Sequence, residues 1–339
     1  MTLPSMAQVL AVETAQADFA SFDVAGWVWV ALVVGIAVLL FADLLIVHRK
    51  PHAISIREAT IESAIWITIG LGFTLVILSW QGGPAAGEYL AGYLIEKSLS
   101  IDNVFVWAVI LNYFAVPAAY QYRVLFWGIF GALVLRAIFI FAGVALIENF
   151  DWVLYIFGAF LIFTAFRIAR HDNAEIHPED NPVLKVFRRL IPSTTEYDGQ
   201  KMFTRRSGHF LATPLFAVLV LIESTDVVFA VDSVPAILAV SREPFIVFSS
   251  NAFAILGLRA LYFVLAGMAG RFRYLNLGLG LILGFVGLKM LIAEWYHVPT
   301  VASLAVIAIV LAVTIGLSLR AEGRDPDTLD EVIEEQDLT

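Results

Sequence analysis

The sequence predicts an all-α polytopic membrane protein with about nine transmembrane helices, built around an inverted repeat of three helices plus three. Its 339 residues are 60% hydrophobic and 15% charged, and the mean hydropathy is +0.84. This composition excludes an ordinary soluble domain. Apolar runs of about 20 residues recur along the chain, and a helix of that length crosses a bilayer. The runs are too long for barrel strands and do not alternate polar with apolar residues.

The predicted spans follow one another with a single sizeable polar loop among them. They are 25–47, 60–80, 89–114, 121–147, 152–169, 210–240, 245–269, 274–294 and 300–319. The predicted organisation is an external segment 1–24, a transmembrane domain 25–320 with a cytoplasmic loop 170–208, and a disordered acidic cytoplasmic tail 321–339. The sixth span is long enough to be tilted, kinked or partly interfacial. Eight spans remain if the first run is cleaved as a signal.

The distribution of basic residues predicts the orientation in the membrane. Lys and Arg residues between Arg49 and Arg324 cluster at one set of span ends, whereas Arg242 alone lies at the opposite set. The positive-inside rule therefore predicts an external amino terminus and a cytoplasmic carboxyl terminus. An odd number of spans agrees with both.

Acidic side chains occupy two of the predicted spans, where a membrane helix ordinarily carries none. The third span holds Glu96 and Asp102, and the sixth holds Glu223, Asp226 and Asp232. An ionised side chain at bilayer depth is costly, so such residues face a cavity and bind ions, protons or each other. The five acids therefore predict a protein that handles a cation.

Basic side chains at comparable depth offer a simpler explanation for some of these acids. The bases are Lys97, Arg136, Arg259 and Lys289, and the acids also include Asp43 and Glu62 near the ends of the first two spans. The alternative is that the bases neutralise some acids while burial keeps the others protonated. Because the acids outnumber the bases, a site is favoured over simple ion pairing.

Spans three to five resemble spans six to eight, which predicts repeats over about 89–169 and 210–294. The resemblance rests on three pairs of features: Asp102 to Phe105 with Asp226 to Phe229, Arg136 with Arg259, and Gly158 before Arg167 with Gly280 before Lys289. Because three spans separate the copies, their orientations are opposite, as in alternating-access transporters. Chance similarity between apolar helices is the alternative.

The inverted pairing predicts two tiers of acids. If Asp102 and Asp226 lie level near the midplane, Glu96 and Asp232 each lie six residues outward, about 9 Å away. Ser100 and Asn103 share the face of Glu96, whereas Asp102 and Ser98 point roughly 120° away. Either the acids face different cavities or the third span is interrupted between them. In the sixth span, Pro235 predicts a break just after Asp232.

The available ligands favour a hard divalent cation. The chain has no cysteine, and all six histidines lie at or beyond the span ends. Carboxylate, amide and hydroxyl oxygens suit Mg²⁺, Ca²⁺ or Mn²⁺ and disfavour Cu and Zn. The candidate metal ligands are the five acids, and no resident cofactor is expected. The predicted supporting residues are Asp43, Ser98, Ser100, Asn103, Arg136, Asn251, Arg259 and Lys289.

Three motifs together resemble a known family. They are Glu96 to Val106, Ile222 to Ile237 and Ser249 to Arg259. They resemble the TerC family of bacterial integral membrane proteins, and the likeness extends over roughly residues 43–292. The resemblance implies a manganese exporter of the bacterial inner membrane, with Mn²⁺ as transported substrate in preference to Ca²⁺ or Mg²⁺. It also carries the family's acidic positions onto the five acids.

These observations predict Mn²⁺ efflux by cation/proton antiport, with Arg136 and Arg259 holding the acids in place or substituting for the ion. The expected partners are a divalent cation, protons and membrane lipids, with homo-oligomers possible and no nucleic acid. The alternative is a membrane scaffold or subunit of a stress (tellurite) resistance or membrane-protein assembly complex. A passive channel also remains open, since channels use acid rings too. An enzyme is not predicted, because no pair of a nucleophile and a base accompanies the acids.

Overall fold

The computed structural model describes residues 19–44, 54–150, 152–170, 181–206, 209–266, 274–292, 295–296 and 298–322. Within them the chain forms eleven helices and one β-hairpin. The side chain of Asp102 and the proposed tail beyond residue 322 lie outside the described part, as do residues 1–18 of the predicted external segment.

The helices follow the predicted spans closely. They are α1 (Gly26–Ala42), α2 (Ile56–Gln81), α3 (Gly83–Tyr113), α4 (Ala118–Asn149), α5 (Val153–Arg170), α6 (Pro182–Leu190), α7 (Pro214–Leu238), α8 (Pro244–Leu256), α9 (Leu258–Ala266), α10 (Leu275–Ile292) and α11 (Thr300–Glu322). The strands are β1 (Phe203–Arg206) and β2 (His209–Ala212). The long apolar segments are helical because a helix satisfies its own backbone hydrogen bonds inside lipid.

Four helical stretches among the described residues are long and apolar enough to cross a membrane. They are Ile56–Gln81, Ala118–Asn149, Pro214–Leu238 and Pro244–Leu265, and shorter apolar helices accompany them. The protein is thus mostly helical with membrane-spanning segments, as the composition predicted. The count of nine spans and the inverted repeat stay predictions.

The predicted loop 170–208 contains a short helix and a strand, neither of which the sequence analysis predicted. Helix α6 lies within it, and β1 pairs with β2 in antiparallel register from Phe203 opposite Ala212 to Arg206 opposite His209. The sixth span therefore begins at Pro214 rather than at residue 210. Thr213 explains this boundary, because its N–H donates to Met202 O at 3.0 Å and its hydroxyl donates to Lys201 O at 2.7 Å.

The segment before the hairpin closes the end of the bundle where most basic residues lie, hereafter the basic end. Tyr197 Oη donates to Phe114 O at 2.7 Å, and Gln200 Nε2 donates to Ala119 O at 2.8 Å. The loop thus packs on the turn between α3 and α4. Thr204 and Lys201 donate hydrogen bonds to Asp198, which order the loop further. The same hydrogen bonds hold the pKa of the exposed Asp198 carboxyl below its usual value.

The predicted helix breaks fall elsewhere. Helix α3 is continuous from Gly83 to Tyr113, and α7 continues through Pro235 to Leu238. Pro235 has no N–H to donate to Val231 O, so α7 lacks that one intrahelical hydrogen bond but does not end there. The break is instead at Gly257, between α8 and α9, where a Cβ atom would lie 2.8 Å from Trp66 Cβ. Close packing against α2 explains the glycine.

Helix α3 is central, because it packs against α2, α7, α8, α9 and α11. Helices α5 and α10 form a second close pair. A Cβ atom on Gly158 would lie 3.0 Å from Gly287 O, and one on Gly287 would lie 2.8 Å from Gly158 O. Small residues permit such backbone contact between membrane helices.

Candidate functional site

A buried arginine joins α3, α4 and α7 at the centre of the bundle. Arg136 on α4 donates from Nε to Asp226 Oδ2 at 3.2 Å and from Nη2 to Asp226 Oδ1 at 2.9 Å. Its Nη1 donates to Ser233 Oγ at 3.0 Å and also to Glu96 Oε1. The side chains of Arg136, Glu96 and Asp226 are 1%, 0% and 3% exposed. The guanidinium therefore lies between two carboxylates from different helices.

Polar groups of α3 complete this cluster. Ser100 Oγ donates to Glu96 Oε1 at 3.0 Å, and Asn103 Nδ2 donates to Asp226 Oδ1 at 3.4 Å. Because the Asn103 amide lies beside Asp226, and Arg136 joins Glu96 to Ser233, the two helices run antiparallel in register. Arg136 bridges these two levels, and the predicted tiers of Asp102 with Asp226 and of Glu96 with Asp232 stay a prediction.

The charges of the cluster do not cancel, and some of its oxygens accept no hydrogen bond from the described residues. Two carboxylates and one guanidinium carry a formal charge of −1 when all are ionised. Three buried oxygens in or near the cluster accept no hydrogen bond from the described residues: Glu96 Oε2, Asn103 Oδ1 and Glu223 Oε2. Buried polar atoms almost always have partners. These oxygens are thus available to a cation or a proton.

The other predicted acids make their contacts with other helices. Glu223 faces α4, where its carboxylate fills the space that a Cβ atom on Gly131 would occupy. Asp232 accepts from Thr164 Oγ1 at 2.9 Å, on α5. Among the described side chains, no three acids or histidines are placed to hold a metal ion together. The structure therefore joins Glu96 to Asp226 through Arg136, whereas Glu223 faces α4 and Asp232 is bonded to α5.

Arg259 has different partners from Arg136, its counterpart in the predicted repeat. It forms an ion pair with Asp43 and lies 3.7 Å from Glu62 Oε1. Its Cζ is 3.9 Å from the ring centroid of Tyr122, whose hydroxyl donates to Asp43 Oδ2 at 2.9 Å. Arg259 thus ties α9 to the first two helices and α4. This second cluster lies outside the candidate cation site.

Three predicted supporting residues remain, and two of them form hydrogen bonds outside the Arg136 cluster. Ser98 Oγ donates to Leu94 O of its own helix at 2.5 Å, so its hydroxyl serves the backbone. Lys289 Nζ donates to Ser303 Oγ at 3.0 Å, which joins α10 to α11. Asn251 is buried on α8, and its Nδ2 has no hydrogen-bond partner among the described residues.

Three residues near the predicted acids were not singled out from the sequence. Ser233 lies seven residues after Asp226 on the same helix face, a spacing that could have shown its role. Thr164 is a partner from a distant helix, so no local pattern indicates it. Glu88 is 1% exposed, eight residues before Glu96 on α3.

Glu88 belongs to the end of the bundle opposite the basic end. It accepts from Ala20 N at 2.5 Å, and Phe22 N donates to Glu243 Oε2 at 3.4 Å. The chain before α1 therefore crosses this end of the helices. Burial raises the pKa of the Glu243 carboxyl, while the N–H groups of Phe22 and Phe245 oppose that shift.

The fold and this site define a class: a helical integral membrane protein with a buried, charged and oxygen-rich centre. The model of the "Integral membrane protein TerC family" matches residues 81–325. The chain therefore belongs to the TerC family.

Relatives from several bacteria support this membership. The membrane protein STKORF319 of Myxococcus xanthus is 48% identical over 292 residues, which cover 86% of this chain and 91% of that one. The Escherichia coli K12 protein named "Putative membrane-bound redox modulator Alx" is 48% identical over 295 residues, covering 84% and 92%. A Rickettsia bellii membrane protein is 38% identical over 278 residues, covering 82% and 92%. No solved structure matches the chain.

Proposed function

We propose that this protein exports a divalent metal cation, Mn²⁺ in the first place, from the cytoplasm across the bacterial inner membrane in exchange for protons. The observation that carries the proposal is the buried cluster of Glu96, Asp226 and Arg136 with its unpartnered oxygens. Membership of an integral membrane family and the apolar spans support transport as the use of this site.

Arg136 takes the position that a cation would otherwise fill. Its guanidinium binds both carboxylates of Asp226 and Glu96 at once. A divalent cation that approaches Asp226 competes for the same oxygens, because carboxylate, amide and hydroxyl oxygens are the ligands it prefers. Arg136 thus keeps the acids together when the cargo is absent and yields them when the cargo arrives.

The proposed path crosses the cluster from the cytoplasmic side. Mn²⁺ sheds water against Glu223, Asp226 and Asp102 and leaves past Glu96 and Asp232 when the two repeats rock against each other. A buried carboxylate that releases its cation is costly to leave charged, so it takes up a proton from the outer side. Return of that proton to the cytoplasm completes the exchange.

The test is Mn²⁺ flux into liposomes that contain the purified full-length protein under an imposed pH gradient. We expect gradient-driven uptake that Asp226→Asn abolishes and that Asp198→Asn leaves intact. Asp198 is a matched control, because it undergoes the same carboxylate-to-amide change in the exposed loop. Uptake that ignores the pH gradient would contradict antiport, and uptake that survives Asp226→Asn would contradict the site.

The same variants separate transport from the scaffold alternative. A scaffold tolerates Asp226→Asn and fails when the loop charges are removed, whereas a transporter shows the reverse. The Escherichia coli relative is named a redox modulator. Thiol chemistry by the side chains of the present chain cannot supply such a role, because its sequence has no cysteine.

A further inference from the structure

Helix α6 has three distinct faces, one of which is buried against the protein. At 100° per residue, Leu184 and Phe187 fall on the buried face. Phe187 packs on Phe216 of α7 with 5.8 Å between ring centroids. This buried face fixes the helix against the side of α7 and determines where the other two faces point.

The second face of α6 is apolar and uncovered. Val183, Val186 and Leu190 are 39%, 54% and 71% exposed, and the helical period places them within about 60° of one another. Apolar side chains aligned at this spacing on a helix of nine residues form a continuous stripe. We refer to Val183, Val186 and Leu190 as the apolar stripe.

The third face carries positive charge. Lys185, Arg188 and Arg189 are all exposed, and the helical period places Lys185 and Arg188 at least 100° from the apolar stripe and Arg189 about 60° from its edge at Val186. A short helix with one apolar and one basic edge is typical of helices that lie in a membrane interface. The charge favours an anionic surface.

The position of α6 along α7 places the stripe at the edge of the bilayer. Helix α7 has 25 residues, about 37 Å, which exceeds a hydrocarbon core of about 30 Å by about 7 Å. Asn181 Nδ2, at the start of α6, donates to Ser224 Oγ at 3.5 Å. Ser224 lies about 15 Å along α7, and Phe216, which packs on Phe187, lies about 3 Å along it, so α6 runs from the third turn of α7 back to its first turn at the basic end, where α7 enters the bilayer. Interfacial helices are buried to about 5–10 Å.

We propose that α6 is an interfacial anchor for anionic lipid: the apolar stripe inserts among acyl chains at the basic end, and Lys185, Arg188 and Arg189 bind anionic headgroups. The occupant is a bilayer surface rather than a protein, because the stripe is exposed beside a helix long enough to span a membrane and the neighbouring charge complements phosphate. This inference depends on the membrane fold and stands independently of the proposed cation transport.

The absence of cysteine from the sequence permits a site-directed test on the full-length protein. Val186→Cys and Leu190→Cys are each labelled with a small environment-sensitive fluorophore and reconstituted in phosphatidylcholine vesicles with phosphatidylglycerol. Thr195→Cys is the matched control, because it is exposed in the loop away from the stripe. Quenching by lipids with brominated acyl chains is compared with quenching by aqueous iodide.

We expect brominated lipid to quench the labels at 186 and 190 and iodide to quench the label at 195. Brominated phosphatidylglycerol should quench the label at 190 better than brominated phosphatidylcholine. Each replacement of Lys185, Arg188 or Arg189 by glutamine should lower the preference for phosphatidylglycerol about fivefold, and the triple replacement should remove it. Iodide quenching of the label at 186 would overturn the proposal. Protection from both quenchers would also overturn it, because a second copy or another protein would then cover the stripe.

Discussion

Arg136 is the residue on which the buried cluster depends, because it is the cation that the structure places between Glu96 and Asp226. Removal of one partner from a buried ion pair leaves the other charge uncompensated, which typically costs about 3–5 kcal/mol. We therefore expect Arg136→Gln to lower the unfolding temperature of the purified protein strongly. Thermal unfolding in detergent, followed by tryptophan fluorescence, measures this effect.

The same variant links stability to the cation. With the guanidinium gone, Mn²⁺ should bind the two carboxylates without competition and restore stability, so the unfolding temperature should rise more with added Mn²⁺ than it does in the native protein. Arg136→Lys keeps a positive charge and serves as the control. An Arg136→Gln protein as stable as the native one, with no response to Mn²⁺, would show that this ion pair does not hold the site together.

Gly131 is the second residue with a specific requirement, because the carboxylate of Glu223 occupies the space beside it. Gly131→Ala should displace the carboxylate of Glu223, the far end of a flexible side chain, at an overpacking cost of about 1 kcal/mol that the better helix propensity of alanine partly offsets. Gly72→Ala is the matched control, since a Cβ atom there meets nothing within 4 Å. It should be neutral or slightly stabilising, because alanine favours a helix. Equal unfolding temperatures for the two variants would disprove the contact with Glu223.

At the scale of elements, the crossing of α5 with α10 is the closest backbone contact that the glycines reveal. Gly287→Ala would place a methyl group 2.8 Å from Gly158 O, so it should force the helices apart and lower stability. Gly284→Ala on the same helix meets only Ala165 Cβ at 3.7 Å and is the control. Unfolding of both variants in detergent tests the contact. A tolerated Gly287→Ala would mean that the crossing is looser than described.

Hydropathy was sufficient to predict the spanning helices, because each must satisfy its own backbone in lipid. It was not sufficient to predict α6 and the hairpin, which are short and owe their structure to contacts such as Tyr197 with Phe114. The break at Gly257 was likewise missed, and the close approach of Trp66 that requires a glycine there comes from a distant helix. Sequence spacing indicates local order, whereas these features depend on distant residues.

At the scale of the whole molecule, the same distinction applies to the site. The acids Glu96 and Asp226 were predicted because charge in an apolar span is conspicuous, and the antiparallel spacing of α3 and α7 followed from the proposed repeat. Arg136 was placed with them only as a supporting residue, because its partner could not be chosen among several acids. The contact of Asp232 with Thr164 joins α7 to α5 and has no signal in the sequence.

The fold accounts for how so much buried charge is held in an apolar bundle. Each buried arginine meets acids from other helices: Arg136 joins α3, α4 and α7, and Arg259 joins α9 to α1. Ion pairs therefore tie together helices that lipid alone would not bring into contact.

The most direct test of the central claim is equilibrium binding of Mn²⁺ to the purified protein, measured by the loss of the free-ion electron paramagnetic resonance signal together with the protons released. We predict saturable binding that releases protons, with binding weakened at least tenfold by Asp226→Asn and by Glu96→Gln and unchanged by Asp198→Asn. Binding of equal strength in all three variants, or no binding by the folded native protein, would contradict a cation site at Glu96 and Asp226.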